Sequence, residues 1–281
     1  MSDEAAVPEY RGNLNRFIEK VRAERSLDLA QYRARYVERR VGVRLNALGL
    51  KTYQQYAAYL DRHPDEYVKL LDVLTINVTS FFRDASVYTL FRNEVIPTLL
   101  ASKAARKQRI VRLWSAGCAT GEEPYSLAMA MLDGIERTKS NGLLTVIGTD
   151  IDRNALAVAK KAEYPVRLLP QIPAVDRRRY VDEMGESFRI KPEVARMVRF
   201  QYLNLFEDPP IHGVDVVFCR NVFIYFNHAD QVRMIETFWE GLTRGGYLVL
   251  GRSERLAPAL AKRFELVSGR ERVYRKPLRL L

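Results

Sequence analysis

The chain has 281 residues, 47% of them hydrophobic and 28% charged, and a formal net charge of +11. That length is enough to bury a sizeable core in one large domain or two modest ones. No apolar run approaches the roughly 18 residues of a membrane helix, and the acidic start MSDEAAVPEY lacks the features of a signal peptide. A cytoplasmic protein without membrane insertion is therefore expected. The excess of positive charge points to an acidic partner, whether nucleic acid, anionic membrane or acidic protein. Cys118 and Cys219 sit in apolar segments without metal-ligand spacing, so neither a metal site nor a disulfide is expected. His63, His212 and His228 read as surface or turn residues, which disfavours chemistry built on a histidine base.

From Arg16 to about Leu74, apolar residues recur at helical spacing, as in Phe17 and Val21, Tyr32 and Tyr36, Val41 and Leu45, with basic residues between them. This predicts a small helical domain, taken as residues 1–80. Gly49 reads as a helix end, Thr52 as the next N-cap and His63-Pro64-Asp65 as a break. Arg33, Arg35, Arg39, Arg40 and Arg44 follow in close succession, and Arg33, Arg40 and Arg44 fit one helical face. Such a run is a solvated face or a docking surface.

From Arg109 onward, short apolar runs alternate with helical patterns: IVRLWSA, LLTVIGTD, VDVVFCRN and GGYLVLG as strands, with PYSLAMAMLDGI, NALAVAKKA and ADQVRMIETFWEGL as helices. The alternation predicts a Rossmann-like α/β domain over residues 81–281. Its parallel sheet would be covered on both faces, with ligands outside the carboxyl ends of the strands. A stretch at about 164–200, rich in Pro and Arg, breaks the rhythm and reads as a small inserted subdomain.

Chemistry concentrates at the predicted strand ends. In Ser115-Ala116-Gly117-Cys118-Ala119-Thr120-Gly121-Glu122-Glu123-Pro124, the glycines permit a tight turn against a bound nucleotide. Asp150 ends the second strand, placed to accept from ribose hydroxyls, and Cys219-Arg220-Asn221 ends the third. Acids beside the glycine turn would repel a pyrophosphate and attract a cationic ligand. Glu122 reads as a complement to the helix N-terminus, Glu123 as a ligand-binding acid.

Four runs, LTINVTSFFR (74–83), WSAGCATGEEPYS (114–126), GTDID (148–152) and FCRNVFIYF (218–226), together closely resemble the chemotaxis receptor glutamate O-methyltransferase family. The resemblance covers nearly the whole chain. It implies that the ligand is S-adenosyl-L-methionine, leaving as S-adenosyl-L-homocysteine, and that glutamate side chains of chemotaxis receptors are esterified for sensory adaptation. By matching position it implies that Asn77, Thr79 and Arg83 reach the cofactor, that Glu123 holds its amino group and that Asp150 holds its ribose. Asn204 and Leu205 would flank the adenine, and Arg220 with Asn221 would close the methionine side. Arg83 and Tyr225 are the residues expected to position the incoming carboxylate. With a reference pKa of about 4.3 that carboxylate is already ionised at neutral pH, so no general base is required.

The resemblance further implies that the helix carrying Arg33, Arg40 and Arg44 docks on the receptor's acidic methylation region. Some members grip a receptor tail peptide with a glycine-rich loop; here Asp182 to Ser187 is short and has one glycine, so action without a tether, as a monomer, is expected. A nucleic-acid methyltransferase is the main rival, favoured by charge and by Asp208-Pro209-Pro210. Those prolines precede the strand at Val214, however, where that class places them after it, so nucleic acid is not the expected partner. The second rival is an inactive cofactor-binding scaffold.

Overall fold

The structure, a computed structural model, describes residues 13–25, 28–75 and 77–278. The acidic start read above and Ile76 of the first motif lie outside them. By its contacts the chain divides into one unit of Met1–Ile76 with Tyr225–Asp230 and a second of Asn77–Ile224 with Gln231–Leu281.

The first unit is built from α1 (Leu14–Arg25), α2 (Ala34–Ala47), α3 (Tyr53–Arg62) and α4 (Glu66–Leu74). Of the residues that the helical spacing selects, Phe17, Val21, Tyr36, Val41 and Leu45 are buried and Tyr32 is half-buried, with Val37 beside them and Tyr56, Leu60 and Leu70 from the later helices. The punctuation acts as read. Gly49 follows α2 at φ +67°, the left-handed conformation a helix end favours. Thr52 accepts from Gln55 N–H at 3.1 Å while Gln55 reaches back to Thr52 N–H, a capping box. Within this unit Glu66 is only 1% exposed. It is held by Arg44 Nε at 2.7 Å, Arg44 Nη2 at 3.1 Å and the Tyr56 hydroxyl at 3.1 Å.

In the second unit α5 (Ala85–Leu90) passes through a π-helical turn, Phe91–Val95, into α6 (Ile96–Ala105). Strand β1 (Ile110–Ala116), α7 (Glu122–Arg137), β2 (Leu143–Asp150) and α8 (Arg153–Lys161) follow, each within a few residues of the predicted runs. The inserted stretch folds as β3 (Glu163–Pro165), a 3-10 segment Val166–Gln171, α9 (Ala174–Tyr180), β4 (Val181–Met184), β5 (Ser187–Ile190) and α10 (Pro192–Ala195). The chain continues through β6 (Val198–Tyr202), β7 (Val214–Cys219), α11 (His228–Gly241), β8 (Leu242–Leu250), α12 (Pro258–Ala261), β9 (Glu265–Ser268) and β10 (Val273–Arg275).

The main sheet has the order β6-β2-β1-β7-β8-β10-β9. Its first five strands are parallel, whereas β10 runs antiparallel to both β8 and β9, so the sheet is mixed where the sequence rhythm predicts a parallel one. The difference arises because β9 and β10 follow without a crossover helix of useful length, and a short connection joins antiparallel neighbours. Alternate β1 residues serve opposite faces: Val111 and Leu113 join the cluster containing Leu127 and Met131 of α7, while Trp114 meets Phe238 of α11 edge-on at 5.2 Å.

The insertion forms its own antiparallel sheet, β3-β5-β4, with β4 and β5 joined at Gly185-Glu186. Residues 198–200, at the end of the stretch read as an insertion, instead begin edge strand β6 of the main sheet. Tyr164 ties the subdomain down: it packs edge-on against Phe81 at 4.9 Å, stacks on Phe188 at 5.7 Å, and its hydroxyl donates to Thr120 O at 2.8 Å.

Arg44→Ala leaves the buried Glu66 with only the Tyr56 hydroxyl and the more distant Lys69 ammonium, 3.7 Å away. It should lower the unfolding free energy of the helical unit by about 3 kcal/mol, measured by urea titration followed by circular dichroism. A loss below 1 kcal/mol would show the pair to be dispensable.

Candidate active site

At the carboxyl ends of β1, β2 and β7 the backbone leaves the sheet in tight turns, and these turns present the polar groups. After β1, Gly117 and Cys118 both donate N–H to Thr149 O, at 2.8 and 2.9 Å, folding the glycine turn onto the end of β2. Gly117 has φ +76°, and a Cβ there would lie 2.6 Å from the Val222 side chain, so the loop after β7 rests directly on this turn. Non-glycine residues also take left-handed φ around the site: Phe82 at +48°, Asp84 at +57°, Ala119 at +46° and Asn221 at +60°. Such strain persists only where the surroundings over-determine it, and it gathers at functional sites.

The acids are held by different partners. Glu123, in the first turn of α7, accepts from Ser115 Oγ at 2.7 Å and lies 3.5 Å from Arg220 Nη1. The Arg220 side chain is only 1% exposed; it pairs with Asp84 and donates to Arg83 O at 3.0 Å. Asp150 accepts N–H from Ala119 at 2.8 Å and from Asp152 at 2.9 Å. Burial raises the pKa of both Glu123 and Asp150, outweighing Arg220 and Ser115 at the first and the backbone N–H groups at the second. Glu122 is raised by burial too, against a hydrogen bond from Thr120. These acids sit in a setting that favours an added positive charge.

The other predicted residues have partners of their own. Asn77 donates from Nδ2 to Asp152 Oδ2 at 2.6 Å, Thr79 is half-buried, and Arg83 donates from Nη1 to Val78 O at 2.8 Å. Asn204 is buried and accepts from Phe206 N–H at 3.1 Å, while Leu205 is half-buried. Asn221 Oδ1 is buried and has no hydrogen-bond partner, an orphaned acceptor of the kind a ligand donor completes. Asp208, of the Asp-Pro-Pro run, accepts from Asn204 N–H at 2.7 Å and so closes a turn.

Four residues that sequence reasoning did not single out as site residues belong to the network: Asp84, Ser115, Asp152 and Glu254. Three of them stand inside or beside the quoted motifs, and that adjacency is the available signal. Glu254 has none.

Tyr225 belongs to the helical unit, where its ring lies 4.9 Å from that of Tyr36 and its carbonyl accepts from Arg33 N–H at 2.9 Å. The Arg33 side chain donates to Phe226 O, Arg40 lies over the Tyr36 ring at 5.7 Å and Arg44 holds Glu66. The exposed arginines of α2 are Arg35 and Arg39. Among the described residues no group of metal-ligating side chains is found, and no helix is long and apolar enough to cross a membrane.

Comparison with known proteins gives two family matches: "CheR methyltransferase, SAM binding domain" over residues 77–273 and "CheR methyltransferase, all-alpha domain" over residues 12–75. A chemotaxis protein methyltransferase of Listeria monocytogenes is 32% identical, across 89% of this chain and 92% of its own length. Chemotaxis protein methyltransferase 2 of Pseudomonas aeruginosa is 33% identical across 83% and 82%. The chemotaxis protein methyltransferase of Borreliella burgdorferi is 29% identical across 86% and 88%.

Arg220→Met leaves Glu123 and Asp84 without their cation and should destabilise the second unit by about 3 kcal/mol at neutral pH. Because Glu123 already has a raised pKa, and losing the guanidinium raises it further, the deficit should shrink as pH falls through that range and grow as pH rises. Urea titrations at neutral and mildly acidic pH test this; a pH-independent deficit would contradict it.

Proposed function

We propose, from the premise that this chain belongs to the CheR methyltransferase family, that it transfers methyl groups from S-adenosylmethionine to glutamate side chains of chemotaxis receptors. The observation that carries the reading is the half-buried acid pair Glu123 and Asp150 at the ends of β1 and β2, together with the orphaned Asn221 Oδ1 at the end of β7. Carboxylates and an amide acceptor suit a ligand rich in donors and positive charge, and they suit a phosphate-bearing one poorly. Glu123 and Asn221 would hold the amino group, Asp150 the ribose, Asn204 and Leu205 the adenine, with Asn77, Thr79 and Arg220 framing the site. When bound, the cofactor supplies a methyl carbon activated by its sulfonium.

What this chain contributes to the reaction is alignment and exclusion of water, since an ionised glutamate attacks without giving up a proton. Arg83 and Tyr225 are proposed to position that carboxylate. An arginine used in this way must orient without binding so tightly that it blunts the nucleophile. Residues 1–80 are read as the receptor-docking domain and 81–281 as the transfer domain with its insertion. Arg40 and Arg44 of α2 are half-buried against Tyr36 and Glu66, so exposed Arg35 and Arg39, with exposed Arg33 just before the helix, supply the charge most open to an acidic receptor surface. The tight turn at Gly185-Glu186 leaves little loop to grip a tail peptide, which favours action without a tether; a cytoplasmic monomer is proposed with it.

Labelled methyl from S-adenosylmethionine should appear on purified receptor cytoplasmic fragments in base-labile form. Removing the receptor's tail should leave the rate within about twofold, since a chain that does not grip the tail gains no effective concentration from it. Label on nucleic acid instead would replace this reading with the rival. Arg35→Glu with Arg39→Glu should reduce receptor methylation about tenfold or more at low salt while leaving cofactor affinity unchanged; undiminished methylation would remove the docking role.

A further inference from the structure

The loop that carries Arg220 and Asn221 is pinned by a carboxylate from elsewhere in the chain. Glu254, just beyond β8, is 4% exposed and has no cation paired with it among the described residues. Its oxygens take backbone N–H groups instead: Gly251 at 2.6 Å, Asn221 at 3.1 Å and Phe223 at 2.9 Å, with Val222 N–H adding to the same set. The crowding is tight enough to dictate sequence. A Cβ on Gly251 would lie 2.6 Å from Glu254 Oε2 and 2.9 Å from Asn221 N, so the residue that follows β8 must be glycine for the clamp to form.

A buried carboxylate without a cation is costly, and several converging N–H groups are what makes it tolerable. Here the N–H groups come from the turn in which Asn221 adopts φ +60° and turns its buried Oδ1 toward no protein donor. Val222 of the same turn packs on Gly117, which fixes the loop against the glycine turn from the other side.

We propose that Glu254 is a positioning residue of the cofactor site: its carboxylate clamps the backbone from Asn221 to Phe223 and thereby aims Asn221 Oδ1 at the amino-acid end of the bound cofactor. The inference rests on the reading of the site given above and assigns Glu254 no contact with cofactor or substrate. Glu254→Gln keeps the shape but replaces one acceptor oxygen by an N–H donor facing other donors. The turn then loosens where Asn221 sits, and the defect is confined to that end of the ligand.

The test compares S-adenosylhomocysteine with methylthioadenosine, which shares the adenine and ribose but lacks the amino-acid end, by calorimetric titration of the full chain. Glu254→Gln should weaken S-adenosylhomocysteine about tenfold or more, the scale of one buried group left unpaired, and leave methylthioadenosine within about twofold. Glu254→Asp, which keeps the charge but draws it back by one methylene, should fall between. Unchanged S-adenosylhomocysteine affinity in folded Glu254→Gln would overturn the proposal, as would an equal loss for both ligands or a loss that follows the unfolded fraction in a parallel thermal melt. Wild-type protein that binds neither ligand would bring down the cofactor reading itself, and this inference with it.

Discussion

A guanidinium buried at the end of β7 sets the terms for the rest of the second unit. Arg220 cannot give up its charge, so its near-complete removal from water obliges the surrounding chain to supply acids and carbonyls. Asp84 and the Arg83 carbonyl arrive together from the loop before α5, and Glu123 from the first turn of α7. Three segments distant in sequence are thereby drawn to one place. Asp84, the more exposed of the two acids, takes the direct pairing, and Glu123 is left at a longer separation with its Ser115 hydrogen bond. A carboxylate only partly compensated in this way retains the capacity to receive a further cation.

The same economy governs the backbone. Parallel strands end together, and each must turn sharply to reach its helix, so the turns crowd one rim. Left-handed residues at Ala119 and Asn221 are the local cost of that crowding, offset by Asp150 accepting from Ala119 and Glu254 accepting from Asn221. Asp150 and Glu254 thus each fix peptide groups of these turns.

Much of this was legible in the sequence because strand and helix periods are local properties. The first three predicted strands and the helices after them follow from apolar runs and glycine turns, and Thr52 and Gly49 announce their own caps. The C-terminal hairpin escaped because β9 and β10 are only 4 and 3 residues long, too short for a period to register, and exposed Leu266 and Val267 do not read as a buried run. Edge strand β6 was absorbed into the insertion because its apolar residues follow directly on α10 without a turn signal. At the site, residue types and strand ends pointed to Glu123, Asp150, Arg220 and Asn221, whereas Asp84 and Glu254 act through partners that only folding brings near. The basic run in α2 was read by spacing alone, which does not reveal that Arg44 turns inward to a buried Glu66.

The central claim is that Glu123 and Asn221 receive the amino end of the cofactor while Asp150 receives its ribose. A crystal structure of the protein with S-adenosylhomocysteine tests it most directly. The account predicts the ligand's amino nitrogen within hydrogen-bonding distance of a Glu123 carboxylate oxygen and of Asn221 Oδ1, with the ribose hydroxyls on Asp150. A ligand seated away from the ends of β1, β2 and β7, or one whose amino group avoids Glu123, would contradict it.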